Sequence, residues 1–253
     1  RKLHRNIPRT RCNFCSYRFS TSPRYKYSTV QSIPMRIAGV DEAGRGPALG
    51  PMVLAVAVID SEKEHVLKEM GAKDSKVVPL EDRERMYPLL QNELEEFATF
   101  HLHAPEMDEL MARESLNEIE ALKIGYLLNN LKSKPDLVYV DSPDPVASNF
   151  AKRIHQYLSY KTKIVAEHKA DVHYPVCSAA SIIAKVERDR EIQKIQAQFS
   201  EYGNIGSGYS HDERTITFIQ KYIQKHDSLP ECARKKWDTN VRLMNARWQT
   251  KLV

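Results

Sequence analysis

Residues 36–51 read R-I-A-G-V-D-E-A-G-R-G-P-A-L-G-P. A short apolar run there ends in two adjacent carboxylates, Asp41 and Glu42, and leads directly into a glycine-rich turn. Neighbouring side chains of a strand point to opposite faces, so both acids serve one site only where the strand ends or bends. Glycines permit such a bend and let backbone amides approach a ligand. The stretch therefore indicates a divalent-metal site that meets a nucleic-acid backbone, with the loop contacts supplied by Gly44, Arg45 and Gly46.

Composition and charge place the chain among globular proteins with one unusual end. Of its 253 residues, 42% are hydrophobic and 28% are charged, which is enough to bury a sizeable core. The net charge is +5, but residues 1–34 hold eight Lys or Arg and no acid, so residues 35–253 sum to −3. Any nucleic-acid surface on the body must therefore come from local clusters of basic residues. No apolar run approaches the roughly 18 residues of a membrane span, so we expect no transmembrane helix.

The segment 1–34 is rich in Arg, Ser and Tyr and has no clear periodicity. Three interpretations stay open for it: a disordered basic arm, an organellar transit peptide, or translated upstream sequence. Cys12 and Cys15 have half the spacing of a zinc knuckle, but the second half is missing. The four cysteines of the chain give no disulfide framework, so we expect a reducing compartment, the cytoplasm.

Strands and helices alternate along the body of the chain. Apolar or alternating runs predict strands at 36–41, 52–59, 97–103, 136–140 and 163–167. Helical periodicity predicts helices at 81–95, 115–131, 146–160, 179–198, 212–226 and 231–246. This order favours an α/β fold with a five-stranded mixed sheet flanked by helices. We expect one domain at 35–200 and a C-terminal helical region at 201–253 that contributes Tyr209.

Four carboxylates follow three of the predicted strands: Asp41 and Glu42 the first, Asp141 the fourth and Asp171 the fifth. Ligand sites gather at strand carboxyl ends in α/β sheets, so we expect these side chains to converge. Converging carboxylates repel one another unless cations neutralise them, and oxygen-only ligands favour Mg²⁺ or Mn²⁺ over zinc. Two such ions about 3.5–4 Å apart would suit phosphodiester hydrolysis. The alternative is that Asp141 and Asp171 are ordinary solvated acids.

Four further features suit a nucleic-acid strand, although none is specific alone. Lys76 lies in a K-D-S-K loop after the second strand, where lysines can reach phosphate. Ser181 lies near the predicted start of the long helix, whose amides favour an anion, and Lys185 follows one turn later on the same face. Tyr209 ends a flexible G-S-G-Y turn, which suits stacking on a base or sugar. The alternatives are solvated lysines and a core or hinge tyrosine.

Together these motifs resemble the type 2 ribonucleases H, the ribonuclease HII family. The resemblance runs from about residue 35 to about residue 247. The matching pieces are G-V-D-E-A-G-R-G-P at 39–47, D-S-K at 74–76, V-Y-V-D-S at 138–142, H-K-A-D-V-H-Y-P-V-C-S-A-A-S-I-I-A-K-V at 168–186, R-D-R at 188–190 and G-S-G-Y at 206–209. H-K-A-D, G-S-G-Y and the ending A-R-K-K-W-D-T at 233–239 look most like the archaeal single-chain enzymes. Ser210-His211 stands where relatives commonly have a proline, and the segment 1–34 has no counterpart in the family.

The resemblance implies a ribonuclease-H-like sheet and cleavage of RNA in RNA–DNA hybrids, in DNA replication and ribonucleotide excision repair. It also implies incision 5′ of single ribonucleotides embedded in duplex DNA, with two Mg²⁺ or Mn²⁺ ions, leaving a 3′-hydroxyl and a 5′-phosphate. The residues that match metal-binding positions are Asp41, Glu42, Asp141 and Asp171. Those that match substrate-binding positions are Gly44, Arg45 and Gly46 at the ribose 2′-OH, Tyr209 at the RNA–DNA junction, and Lys76, Ser181 and Lys185 near phosphates.

Two other functions compete with this reading. Another metal nuclease of the same fold class would keep the acids but would also cut all-DNA duplexes. A non-catalytic binder of hybrids or of structured RNA would bind without metal, mainly through the basic segment 1–34. We expect a monomer, and residues 248–253 show no clear sliding-clamp peptide.

Overall fold

The computed structural model describes residues 35–71 and 78–251, without the side chains of 248–251. Its core is one five-stranded sheet in the order β3-β2-β1-β4-β5. The strands are β1 (Arg36–Ala43), β2 (Met52–Asp60), β3 (Glu96–Leu102), β4 (Leu137–Asp141) and β5 (Lys163–Glu167). β1 pairs with β2 and β2 with β3 antiparallel, whereas β1 pairs with β4 and β4 with β5 in parallel. The predicted five-stranded mixed sheet is confirmed.

Helices cover both faces of this sheet. They are α1 (Glu64–Glu69), α2 (Leu80–Glu93), α3 (Ala104–Leu110), α4 (Leu116–Asn130), α5 (Ala147–Gln156), α6 (Ala170–His173), α7 (Pro175–Gln198), α8 (Glu213–His226) and α9 (Asp238–Lys251). One face packs against α7, α1 and α2 through residues such as Ile37, Ile183 and Leu90. The other face packs against α4 and α5 through residues such as Leu128 and Ile154. β2 is buried along nearly its whole length because it is covered on both faces.

The C-terminal helices form a third apolar cluster around the segment that follows the glycine turn. Leu49 packs there with Phe218 and Ile219 of α8. Leu49 also forms an isolated antiparallel bridge with Ala233, which precedes α9. The segment between β1 and β2 is therefore built into the C-terminal region and is not a free surface loop.

Three helix expectations differ from the structure. The long helix begins at Pro175 and not at residue 179, so Ser181 lies in its second turn, away from the N-terminal amides. The last helix begins at Asp238 and not at residue 231, because residues 233–237 form a turn whose backbone pairs with Ala48 and Leu49. The short helices α1, α3 and α6 were not anticipated, since pieces of four to seven residues show too little periodicity.

Several expectations fall outside the described residues. These are the basic segment 1–34 with Cys12 and Cys15, the loop with Lys76, and the side chains at 248–253. Within 35–71 and 78–251, no helix has the length and apolar content needed to cross a membrane.

Candidate active site

Asp41 and Glu42 lie side by side near the end of the central strand, which stops one residue later at Ala43. Asp41 shares the sheet face that packs on α7, where the side chain of Ser181 hydrogen-bonds to it. Glu42 points to the opposite face, towards α4. β1 continues through both acids to Ala43, and their joint role in one site stays a prediction.

Strand register brings the third acid next to the first. Val40 of β1 pairs with Val140 of β4 in parallel, so Asp41 and Asp141 follow at equivalent positions of neighbouring strands. One carboxylate oxygen of Asp141 accepts a hydrogen bond from the backbone amide of Ala170, 3.0 Å away. This contact ties the end of β4 to the start of α6.

The short helix α6 carries the fourth acid. Lys169 precedes it with φ of 60°, a left-handed conformation that turns the chain sharply after β5. The turn places Asp171 in the first turn of α6, where the residue is only 2% exposed. A buried carboxylate is a costly arrangement, so Asp171 is not an ordinary solvated acid.

Two of the four acids, Asp41 and Glu42, have raised pKa values. Burial and the neighbouring charges of Glu42 and Asp141 raise the pKa of Asp41 well above its ordinary value. Burial, Glu120 and Asp141 raise the pKa of Glu42 to about 8, although Arg45 opposes the rise. Burial raises the pKa of the Cys177 thiol, and the charges of Asp41, Asp141 and Asp171 add to that rise. The end of the sheet therefore holds more negative charge than its surroundings compensate.

This donor set suits a hard divalent cation. The acids offer oxygen atoms alone, which are the ligands that Mg²⁺ and Mn²⁺ prefer, and a cation would relieve their mutual repulsion. Over 35–71 and 78–251, no three Asp, Glu, His or Cys residues stand at metal-holding distance from one another. The chemistry of the residues fits a metal, while their ligand geometry is not preassembled.

The glycine turn lies directly beside the acids. Gly44 has φ of +81°, and a Cβ atom there would lie 2.2 Å from Nε of Arg188 and 2.8 Å from the carbonyl oxygen of Pro51. Only glycine satisfies both the conformation and the space. Gly46 is exposed, and Cε1 of the Tyr209 ring lies 4.0 Å from the position of a Cβ at Gly46. The turn therefore faces the tyrosine across a narrow gap.

Tyr209 is fixed in this position by two sets of contacts. Its ring stacks on the guanidinium of Arg188, with 5.2 Å between the ring centroid and Cζ. The preceding residue, Gly208, accepts hydrogen bonds through its carbonyl oxygen from the amides of Ala48 and Leu49, at 2.8 and 3.1 Å. Tyr209 is half-buried at the surface and not in the core, so its ring is available for stacking on a ligand.

The remaining substrate residues of the sequence hypothesis are placed differently. The guanidinium of Arg45 forms an ion pair with Glu120, and its Nη2 also donates a hydrogen bond to Asn117 Oδ1 at 2.5 Å. Ser181 is buried against Asp41 and orients that carboxylate. Lys185 is half-buried on α7, near Asp189. The structure thus exposes Gly46 of the glycine turn, whereas the Arg45 side chain is partly exposed and its guanidinium is held by Glu120 and Asn117.

Known proteins resemble this chain in sequence and in fold. The family model described as Ribonuclease HII matches residues 38–240. The ribonuclease HII of Pyrococcus abyssi is 42% identical over 209 residues, which cover 83% of this chain and 91% of that protein. The crystal structure of the ribonuclease H2 from Pyrococcus horikoshii matches with a TM-score of 0.78 at 42% identity, over 84% of this chain and 98% of that one.

This chain belongs to the ribonuclease HII family. It is a ribonuclease H, a divalent-metal-dependent nuclease whose class acts on the RNA of RNA–DNA hybrids. The ribonuclease HII of the PCNA:RNase HII complex from Archaeoglobus fulgidus is also similar, with a TM-score of 0.73 at 35% identity over 81% of this chain and 96% of that one. The resemblance to archaeal members is confirmed, as all three relatives are archaeal.

Several residues around this ribonuclease HII site escaped sequence reasoning. Glu120 is 1% exposed in the middle of α4 and supplies the counter-charge of Arg45. Asp144 is 4% exposed and accepts hydrogen bonds from Asn117 and from Arg153 Nε, the latter at 3.0 Å. A charged residue at an apolar position of a helix is a usable signal for Glu120. No local signal marks Asp144.

Two buried arginines complete the surroundings of the glycine turn. Arg188 lies behind Gly44 and donates through Nη2 to the carbonyl oxygen of Ser207 at 3.0 Å. Arg234 donates to the carbonyl oxygens of Gly44, Arg45 and Gly50, at 2.5, 2.9 and 3.0 Å. Both belong to stretches that match the family, R-D-R and A-R-K-K-W-D-T, but their sequence gives no sign of burial.

Proposed function

We propose that this ribonuclease HII incises duplex DNA 5′ of a single embedded ribonucleotide, in addition to cutting RNA in hybrids. The observation that carries the proposal is the gap between the glycine turn and Tyr209, next to the acid cluster. Recognition of one ribose needs polar groups at the 2′-OH, and a stacking surface can mark the junction with DNA. The glycine turn and the partly exposed ring of Tyr209, which lie beside the carboxylates, support this proposal.

The residues that would hold the metal are Asp41, Glu42, Asp141 and Asp171. Two bound Mg²⁺ or Mn²⁺ ions would activate a water and stabilise the leaving oxygen, giving a 3′-hydroxyl and a 5′-phosphate. The chain's own contribution is to orient these ligands. Ser181 holds Asp41 by a hydrogen bond, and the amide of Ala170 holds Asp141 at 3.0 Å. Ligands fixed in this way support faster chemistry than freely rotating ones.

The substrate side is formed by Gly44, Arg45, Gly46 and Tyr209, with Lys185 and Lys76 as proposed phosphate contacts. Arg45 contributes its backbone, because its guanidinium is paired with Glu120 and Asn117. Tyr209 offers its ring, which is held at the surface by Arg188.

We propose that residues 35–200 carry the catalysis and that 201–253 present Tyr209. We also propose a cytoplasmic monomer, and a clamp contact such as that in the name of the Archaeoglobus complex needs a separate binding test.

The test is cleavage of a labelled DNA duplex that holds one ribonucleotide, with Mg²⁺, beside an all-DNA duplex and an EDTA control. The expected result is metal-dependent incision 5′ of the ribonucleotide, with the all-DNA duplex intact. Cleavage of a long RNA–DNA hybrid but not of this duplex would contradict the junction role of Tyr209. Cleavage of the all-DNA duplex would favour a general nuclease, and binding without any cleavage would favour a non-catalytic binder.

A further inference from the structure

Arg234 is a fully buried arginine whose partners are backbone carbonyls. Its exposed fraction is 0%, and it lies in the turn before α9. Nε donates to Gly50, Nη1 to Arg45 and Nη2 to Gly44, at 3.0, 2.9 and 2.5 Å. These three carbonyls all belong to the turn between β1 and β2, about 190 residues away along the chain. One guanidinium therefore spans both ends of that turn.

A buried cation is normally paired with a carboxylate, and Arg234 is not. No Asp or Glu among residues 35–71 and 78–251 forms an ion pair with it, although the charges of both Arg188 and Asp108 act on it. Burial and the charge of Arg188 lower the pKa of Arg234 to about 9. Burying such a charge destabilises the folded protein, and an apolar side chain of similar size would fill the same space without that desolvation cost. The arrangement therefore calls for a role that needs the donors of a guanidinium.

The planarity of the peptide bond shows what these donors do. In a trans peptide, the carbonyl oxygen and the next amide hydrogen point in opposite directions. The carbonyls of Gly44 and Arg45 point at Arg234, so the amides of Arg45 and Gly46 point away from it. Two successive amides with a common direction form a cradle for an electronegative atom. Arg234 thus selects the peptide orientation that turns two donors away from the protein interior.

Neighbouring side chains of the same segment extend this hold. Trp237 donates through Nε1 to the carbonyl oxygen of Gly46 at 3.2 Å, and its ring lies 4.8 Å from Cζ of Arg234. Asn240 donates to the carbonyl oxygen of Ala48 at 2.9 Å. Asp108 of α3 in turn accepts from the amide of Lys235 at 2.9 Å. Side chains of the segment before and in α9 therefore hydrogen-bond to several carbonyls of the turn, and Asp108 holds the backbone of that segment in place.

We propose that Arg234 is a positioning residue that sets the preference for ribose by fixing the Arg45 and Gly46 amides towards the 2′-oxygen. This inference rests on the proposed reading of single ribonucleotides. Arg234 itself does not touch the substrate, and it acts through the backbone of the glycine turn. Trp237 assists it through Gly46, the residue that faces Tyr209.

The test compares Arg234→Lys with the matched control Arg190→Lys in a cleavage-deficient Asp41→Asn background. Lysine keeps the charge but loses the planar fork that reaches three carbonyls. Arg190 also stacks on an aromatic ring, Tyr87, and pairs with Glu84 at 2.9 Å, away from the glycine turn. The measurement is the affinity for a duplex with one ribonucleotide relative to an all-DNA duplex, in Mg²⁺.

Arg234→Lys is expected to reduce that preference about tenfold, with the affinity for all-DNA duplex unchanged, since two amide contacts are lost. Arg190→Lys is expected to keep the preference of its parent. A purely structural role would lower the melting temperature and weaken both duplexes equally, which would overturn the proposal. If Arg234→Lys does not fold, Trp237→Phe serves in its place, because it keeps an aromatic ring but removes the Nε1 donor to Gly46. An undiminished preference for the ribonucleotide duplex in that variant would overturn the proposal.

A second measurement separates this inference from the proposed function. Glycine-selective ¹⁵N labelling gives amide signals for the nine glycines of the chain, three of which lie in the turn. Arg234→Lys should shift the signals of Gly44, Gly46 and Gly50, and Arg190→Lys should leave them in place. If the parent shows no ribose preference, the proposed function fails, whatever the signals show. Unmoved glycine signals contradict positioning by Arg234 even if the parent prefers ribose.

Discussion

The acid cluster and the glycine turn lie side by side but have opposite electrostatics. At the end of the sheet, carboxylates converge without enough positive charge, and the pKa values of Asp41 and Glu42 rise in response. Behind the glycine turn, Arg188 and Arg234 are buried and form no ion pair with an acid among residues 35–71 and 78–251, and their pKa values fall. One region therefore has an excess of acidic groups and its neighbour an excess of basic groups.

The difference shows how each region handles its uncompensated charge. The guanidinium groups donate hydrogen bonds to backbone carbonyl oxygens, and these bonds hold the backbone of the turn in one orientation. The carbonyls belong to Gly44, Arg45, Gly50 and Ser207. The carboxylates offer oxygen atoms to a divalent cation, which would neutralise their charge. The cluster is thus suited to binding, and the turn is suited to rigid presentation of donors.

The largest expected effect comes from removing one charge of the cluster. Asp41→Asn should lower hybrid cleavage at least on the order of 10²–10³-fold, because a metal-binding oxygen is lost where charge develops in the reaction. Hybrid binding should stay nearly unchanged, since Asp41 is only 6% exposed and does not hold the strand. Steady-state cleavage and equilibrium binding measure the two quantities. Wild-type turnover in this variant would remove Asp41 from the site.

On the other side of the comparison, Tyr209→Ala should affect selectivity more than the fold. A stacking contact with a base contributes about 1–3 kcal/mol, so single-ribonucleotide incision should fall roughly 10–100-fold. The melting temperature should change little because the ring is half-buried at the surface. Kinetics on the single-ribonucleotide duplex and on a long hybrid separate the effects. An unchanged preference for the junction would place Tyr209 outside the substrate site.

A third change tests how tightly the buried cation packs on the turn. Gly44→Ala and Gly71→Ala both put a side chain at positive φ, +81° and +85°, which costs about 1–2 kcal/mol. The added methyl at Gly44 would also meet Arg188 and Pro51, whereas nothing lies within 4 Å at Gly71. Overpacking should therefore destabilise Gly44→Ala by about 1–3 kcal/mol more than Gly71→Ala. Chemical denaturation measures both, and equal losses would show that Arg188 yields easily.

The smallest expected effect concerns repulsion in the metal-free cluster. The pKa of Glu42 is about 8 in the folded protein and 4.5 ordinarily, so between these values the folded state holds a proton that the unfolded state releases. Stability from this group therefore falls as pH rises from about 4.5 through 8. With a chelator present, Glu42→Gln should raise the melting temperature at pH 8 by ~2–4 °C and flatten its decline with pH.

The control for this prediction is Glu109→Gln, which changes an exposed acid of α3. Its melting temperature should follow the wild-type curve from pH 5 to pH 8. Parallel curves for Glu42→Gln and the wild type would show that the cluster is not under electrostatic strain. Added Mg²⁺ should reverse the order and favour the wild type, because the cation compensates the charge that glutamine lacks.

The sequence predicted most strands and helices because the apolar periodicity that marks them depends on residues close together in the chain. The strand at 163–167 was placed at its observed bounds, and the central strand was placed within two residues of them, since apolar periodicity depends on near neighbours. The position of the acids at or beside strand ends makes them candidates from sequence alone, and their role as ligands stays a prediction. Apolar periodicity predicts the long helix from residue 179, four residues after its observed start at Pro175, because the periodic run begins after that proline. Periodicity also predicts helix at 233–237, where the structure has a turn, because the backbone partners of this turn, Ala48 and Leu49, lie far away in sequence.

The site divides in the same way. From its motifs alone, the sequence determined the ribonuclease HII family, the adjacent carboxylates and the glycine turn, because these features lie within short stretches. Only the tertiary structure decided that the Arg45 guanidinium pairs with Glu120 and that Arg234, about 190 residues later in the chain, hydrogen-bonds to the carbonyls of the turn. In sequence, Arg234 stands beside Lys235 and Lys236 and looks like a solvated charge. Burial is set by long-range packing, and packing gave this arginine carbonyls as partners in place of water.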